Sequence, residues 1–184
     1  MSNISDKPVG YKFDSDDLTN EVYALLCMFL ASKPLAELAS KKAYSTLVTA
    51  SKHTQTMKQA QDRHFKLNAV HSILYIAGMS RIIEERSEKD LLRIKKCGYL
   101  FEPINSDKRD LTFREACNKI IHAKSIDFLE QKTFFNLSGG KKIEAVYFEA
   151  EVKLCGSKGK KEWKAVLDVV EFCRASLETV RYSY

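Results

Sequence analysis

Three polar residues lie four positions apart on one edge of a predicted helix over residues 111–124. They are Arg114, Asn118 and His122, and at about 100° per residue they form a stripe beside the apolar face of that helix. Arginine can bind phosphate through its planar, permanently charged guanidinium group. Histidine can transfer a proton near neutral pH, and an amide can hold the imidazole or a phosphate oxygen. These residue types indicate phosphodiester chemistry, in which His122 moves a proton while Arg114 and Asn118 hold the phosphate.

The same helix resembles the motif of the HEPN superfamily, whose members are α-helical bundles common in prokaryotic toxins and RNA-cutting defence proteins. The resemblance rests on Asn118, on His122 and on the apolar pair that directly precedes His122. The sequence departs from the motif at Cys117, which stands where the family has its arginine, and Arg114 lies one turn earlier. The resemblance implies a metal-independent endoribonuclease acting as a homodimer. Its composite catalytic site would include His122, Asn118 and Arg114 where two such helices meet.

Other interpretations of this stripe stay open. In one, the chain is a catalytically inactive HEPN-like module for dimerisation or for binding RNA or a protein, which Cys117 in place of the arginine favours. In another, the stripe is the solvated face of an amphipathic helix. Thr112 and Glu115 have the spacing of a capping box, which explains them without catalysis. A small-molecule pocket is a further alternative, to which the sequence assigns no residue.

A second candidate site is a lysine-rich turn in the C-terminal half of the chain. Lys158, Lys160 and Lys161 belong to this predicted turn, and three aromatic residues stand on the adjoining predicted strands (Tyr147, Phe148 and Trp163). Basic loops beside aromatic side chains bind single-stranded nucleic acid through phosphate attraction and base stacking. The pattern therefore predicts an RNA-binding turn. The alternative is that the lysines keep a sheet edge soluble while Trp163 packs in the core.

The elements that must position these residues are helical at first and β-rich later. Apolar residues at helical spacing predict helices over about 15–32, from Pro34 to about residue 50, over 65–83, 87–96 and 111–124, with a loop over 102–110. Alternating and β-branched residues predict strands within 133–154 and over 162–167, with a turn at 156–159. The sequence thus predicts a single α+β, mainly α, domain over residues 1–184. It would contain a HEPN-like four- or five-helix bundle over 15–124, an antiparallel β-hairpin element over 133–167 and a closing helix over 168–181.

Composition restricts the class of protein more than its activity. The 45% of hydrophobic residues exclude a mainly disordered chain, and the net charge of +6 permits an anionic partner such as RNA without requiring one. Five dispersed cysteines without a CxxC pair, and a polar N-terminus, indicate reduced thiols in a cytoplasmic protein. The apolar stretch over residues 23–31 is too short to span a bilayer. No zinc-ligand spacing or nucleotide-binding motif occurs, so we expect no metal, cofactor or membrane association.

Overall fold

The computed structural model describes residues 15–46, 51–86, 95–104, 106–136, 140 and 142–181, and the side chains of all these except 15, 42–46, 51–61 and 86. Within these ranges, four helices pack on a five-stranded antiparallel sheet with strand order β2-β1-β5-β4-β3. The elements are α1 (Ser15–Thr46), α2 (Ser51–Arg86), β1 (Lys96–Phe101), β2 (Arg109–Thr112), α3 (Phe113–Ile121), β3 (Ser125–Asn136), β4 (Lys142–Lys158), β5 (Lys161–Asp168) and α4 (Val169–Arg181).

The sequence-based prediction of a helical bundle with an appended β-hairpin is therefore wrong. β1 lies mainly on residues 97–101, where the sequence predicts no strand, and β2 lies at the end of the predicted loop and the start of the predicted helix over 111–124. β3 begins at Ser125 instead of near 133. The predicted helix over 87–96 lies outside the described residues up to 94, and its last residue, Lys96, begins β1. β1 escapes detection because Gly98, with φ +137°, sits at a bulge that breaks the strand's alternation.

Helix α1 runs without interruption through Pro34, where the sequence predicts the start of a new helix. Pro34 is exposed, so the carbonyl that loses its helical hydrogen bond is on the solvent side and can bond to water. The predicted apolar face of α1 is confirmed, because Leu18, Val22 and Leu25 are completely buried. The segment from Asp16 to Lys41 contains an 18-residue window of mean hydropathy 1.5, so it is also long and apolar enough to cross a membrane, a criterion that core helices of soluble proteins meet too.

One face of the sheet carries the hydrophobic core. Alternate residues of β4 and β5 are buried against the helices (Val152, Leu154, Gly156, Trp163, Ala165 and Leu167). Phe29 of α1 and Phe65 of α2 meet Phe128 and Phe148 of the β3–β4 hairpin, and the rings of Phe65 and Phe148 stack with centroids 4.4 Å apart. The backbone N–H of Phe148 donates to Ser32 Oγ at 2.8 Å, which attaches α1 to β4.

Helix α3, which carries the predicted catalytic stripe, begins as the sequence predicts. Thr112 is its N-cap, and its hydroxyl oxygen accepts from the N–H of Glu115 while the Glu115 carboxylate accepts from the N–H of Thr112. Phe113, Ala116 and Cys117 are completely buried, so the predicted apolar face of α3 is confirmed. The helix ends at Ile121, three residues before the predicted end. The closing helix, predicted over 168–181, is present as α4 at Val169–Arg181.

Candidate functional site

The Arg114 guanidinium points back into the molecule, toward helix α2. Its Nη1 lies 3.6 Å from Glu84 Oε1, and Arg81 Nη1 lies 3.6 Å from Glu84 Oε2. Glu84 is only 2% exposed, so this cluster is a buried charge pair between α2 and α3 with a second arginine beside it. The attraction of the buried carboxylate draws the Arg114 guanidinium away from a phosphate, because releasing it would leave Glu84 with Arg81 alone as its counter-charge.

Asn118 and His122 occupy different environments at the end of the same helix. His122 is the C-cap of α3 and is exposed, and its backbone N–H donates to the carbonyl of Asn118 at 3.1 Å. Asn118 is half-buried. Among the described residues, no hydrogen bond joins the side chains of Arg114, Asn118 and His122. The three residues share one edge of α3, but their side chains are not assembled into one polar group.

Glu115 faces the beginning of α3 and not His122. Its carboxylate accepts from both Nη atoms of Arg109, at 2.8 and 3.0 Å, and from the N–H and hydroxyl of Thr112. Burial raises the pKa of Glu115, but hydrogen bonds from Arg109 and Thr112 outweigh burial and lower this pKa below its usual range. The residue is therefore a capping and ion-pairing group.

Cys117, at the position of the family's arginine, is completely buried. Burial raises the pKa of its thiol, and it also raises the pKa of Cys97 and of Cys173 to about 12. These thiols are protonated at neutral pH, so none of the three is a nucleophile. Cys117 is therefore a small buried side chain of the core.

The lysine-rich turn is shorter than predicted and lies apart from its aromatic neighbours. Lys158 and Lys161 are paired at the ends of β4 and β5, and Lys160 is in the turn between them; all three are exposed. Trp163 is 2% exposed on the core face, where Lys119 Nζ lies 4.5 Å from its ring centroid. Tyr147 and Phe148 lie about 35 Å down the strand from the turn. The structure does not bring the lysines and these rings together.

The other face of β1, β5 and the part of β4 that pairs with β5 carries half-buried and exposed side chains, and we call this part of the sheet the open face. The register of β1, β5 and β4 places six half-buried side chains on it (Tyr99, Phe101, Lys164, Val166, Lys153 and Cys155). Phe101 is in register with Lys164, and Tyr99 is in register with Val166, which pairs with Lys153. An aromatic pair thus stands beside lysines on a surface that water reaches.

Two further lysines contact Tyr99. Lys96 Nζ lies 4.3 Å and Lys108 Nζ lies 3.2 Å from the ring centroid, which is the geometry of cation–π contacts. Lys96 also forms an ion pair with Asp110 at 2.8 Å, and that hydrogen bond raises the pKa of Lys96. Both lysines are exposed. Their ammonium groups can therefore move from the ring to a phosphate without crossing the core.

A depression of about 290 Å³ adjoins Tyr99 on the open face. It is lined by Lys96, Gly98, Val166, Glu151, Asp168 and Glu171. Asp168 also caps α4, since its Oδ1 accepts from the N–H of Glu171 at 3.0 Å. The depression therefore offers hydrogen-bond acceptors next to an aromatic ring and two ammonium groups.

The open face is absent from the sites that the sequence predicts, although part of its pattern is visible in the sequence. Tyr99 and Phe101 alternate with Leu100, as on a strand with one buried face.

In the described ranges, no group of three or more His, Cys, Asp or Glu side chains is placed to hold a metal ion. Comparison of the chain with protein-family models, with curated proteins and with solved structures finds no match.

Proposed function

We propose that this protein binds single-stranded RNA on the open face of its sheet and does not cleave it. The observation that carries the proposal is the aromatic pair Tyr99 and Phe101 with lysines on the same face. The net charge of +6 permits an anionic partner such as RNA. Binding without cleavage corresponds to the alternative in which the α3 stripe is catalytically inactive.

The chemistry of the open face suits a single strand. Tyr99 and Phe101 are two residues apart on β1, so their rings emerge about 7 Å apart on the same side and can each stack on a separate base. Lys153 and Lys164, on the neighbouring strands, are within reach of the phosphates between those bases. Asp168 and Glu171 in the adjoining depression can accept hydrogen bonds from the amino groups of a base.

The surroundings of the α3 stripe favour binding over cleavage. Metal-independent cleavage by this stripe needs a guanidinium for the phosphate beside His122, and the Arg114 guanidinium contacts Glu84 at 3.6 Å. His122 is exposed at the end of α3. We therefore expect RNA to stay intact with the wild-type protein and with His122→Ala. Cleavage that requires both Arg114 and His122 would contradict this part of the proposal.

Fluorescence anisotropy with a labelled short oligouridine tests the binding surface. Base–aromatic stacking contributes about 1–3 kcal/mol per base, so Tyr99→Ala and Phe101→Ala should each weaken binding by roughly 5- to 150-fold. The matched control is Phe134→Ala, because Phe134 is an aromatic residue of β3 that is 62% exposed and lies off the open face. It should bind RNA like the wild type. Equal loss in all three variants, or none, would contradict the proposal.

A further inference from the structure

Helix α1 carries an apolar stripe on the side opposite its core face, and we call it the outer stripe. Its members recur every three or four residues and are all exposed (Asp16, Asn20, Tyr23, Cys27, Leu30, Pro34, Leu38 and Lys41). Tyr23 and Leu30 are each 70% exposed and Leu38 is 55% exposed. Spacing of this kind is that of a helix seam that packs against another helix. Other described elements approach the stripe at Lys41, whose Nζ lies 5.1 Å from the Phe135 ring centroid, and at Leu30, which borders a depression also lined by Tyr147 and Val170.

We propose that the outer stripe is the surface on which two copies of this chain dimerise, with their α1 helices antiparallel. The stripe begins with Asp16 and ends with Lys41, so it has opposite charges at its two ends. An antiparallel register that places Asp16 beside Lys41 of a second copy also places Tyr23 beside Pro34 and Cys27 beside Leu30. The stripe is therefore self-complementary in charge and in apolar character, as a two-fold interface requires. Antiparallel helix dipoles add to this attraction.

The dimensions of the outer stripe predict a weak dimer. From Asp16 to Lys41 the helix is about 38 Å long, and a contact about 10 Å wide then covers on the order of 400 Å² on each copy. Stable interfaces bury about 800 Å² on each partner. We therefore expect a weak dimer that dissociates on dilution. This dimer does not depend on RNA binding, so either proposal can fail without the other.

Sedimentation equilibrium across micromolar and higher concentrations tests the surface. The wild type should show a reversible monomer–dimer equilibrium, and Leu30→Lys should raise its dissociation constant at least tenfold. Leu30 is exposed in the monomer, so this change spares the core. Phe134→Lys is the matched control, because Phe134 is a similarly exposed apolar residue on β3, and it should dimerise like the wild type. A wild type that is monomeric at every concentration, or a dimer that Leu30→Lys leaves intact, overturns the proposal.

A charge exchange tests the antiparallel register. Lys41→Glu places like charges at both ends of the interface and should weaken the dimer severalfold, although it also removes a contact 5.1 Å from the Phe135 ring. Adding Asp16→Lys restores opposite charges and should recover at least part of the lost affinity. If the helices associate through apolar contacts in another register, exchanging these charges should leave the dissociation constant unchanged. A double variant that dimerises no better than Lys41→Glu alone would overturn the proposed register.

Cys27 provides a direct readout of the same geometry. Of the five cysteines, all within the described ranges, Cys27 is exposed, Cys155 is half-buried and three are buried. In the proposed register the two Cys27 residues are offset by about 4.5 Å along helices 8–10 Å apart, within reach of a short bismaleimide. The reagent should give a covalent dimer that Cys27→Ser abolishes and Cys155→Ser preserves. Binding of a monomeric chain to phosphatidylcholine vesicles that is lost in Leu30→Lys would instead assign the stripe to a membrane and overturn the proposal.

Discussion

At the scale of single residues, Arg114 shows that one pattern of residues can serve two different roles. On the sequence it is the first member of a stripe suited to phosphate chemistry, and in the structure its guanidinium neutralises Glu84. The two roles need the same residue type at the same helical spacing. They differ in whether a carboxylate on another helix lies opposite, and the stripe itself carries no information on that.

The charge pair of Glu84 predicts a large effect on stability. Glu84→Gln leaves Arg81 and Arg114 without their buried counter-charge, so it should lower the free energy of unfolding by about 2–3 kcal/mol. The matched control is Glu85→Gln, because Glu85 also pairs with Arg81 but is 57% exposed. Exposed ion pairs contribute about 0–1 kcal/mol, so this control should change little. Urea denaturation followed by circular dichroism measures the free energy of unfolding of both variants. Equally small decreases in the two variants would show that the buried pair is not a stabilising contact.

At the scale of elements, the packing of β4 on β5 depends on a glycine beneath the tryptophan. A Cβ added at Gly156 would lie 2.2 Å from Cζ2 of Trp163, so the ring would have to move. The sequence predicts a turn at this glycine because glycine is common in turns. In the structure Gly156 is instead a buried strand residue that makes room for a large neighbour.

Gly156→Ala should therefore destabilise the fold by about 1–3 kcal/mol through overpacking. Trp163 is the single tryptophan of the chain, so its fluorescence reports the displacement directly, and we expect emission at longer wavelength as the ring meets water. Gly78→Ala is the control, because no atom lies within 4 Å of its added Cβ and Gly78 lies within helix α2. That change should stabilise by up to about 1 kcal/mol without altering the emission. Unchanged emission in Gly156→Ala would contradict the tight contact.

At the scale of the whole molecule, the net charge of +6 attracts RNA without specifying where it binds. The open face and the β4–β5 turn are two lysine-bearing surfaces of the described residues that can be compared for this role. They can be separated by salt dependence, because each phosphate contact to a single strand contributes about −0.7 to the slope of log affinity against log salt concentration.

Replacing Lys153 and Lys164 together by alanine should therefore reduce the magnitude of this slope by about 1.4. Replacing Lys158 and Lys160 of the turn together removes the same net charge and should leave the slope close to that of the wild type. Titrations of labelled oligouridine at several salt concentrations measure both. If the slope decreases only in the variant of the turn, the result would support the binding turn that the sequence predicts. It would contradict RNA binding on the open face.

Local patterns let the sequence alone determine the helices α3 and α4, the core face of α1 and the capping box of Thr112 and Glu115. Each of these depends on contacts between residues a few positions apart, which spacing and residue type describe directly. The open face and the partner of Arg114 depend on β1, β5 and β4 pairing across long stretches of chain, and on α2 packing on α3. Alternation along a strand shows that its two faces differ, but which face the helices cover is decided only when all the elements pack together. For that reason the site that carries the proposed function was decided by the tertiary structure.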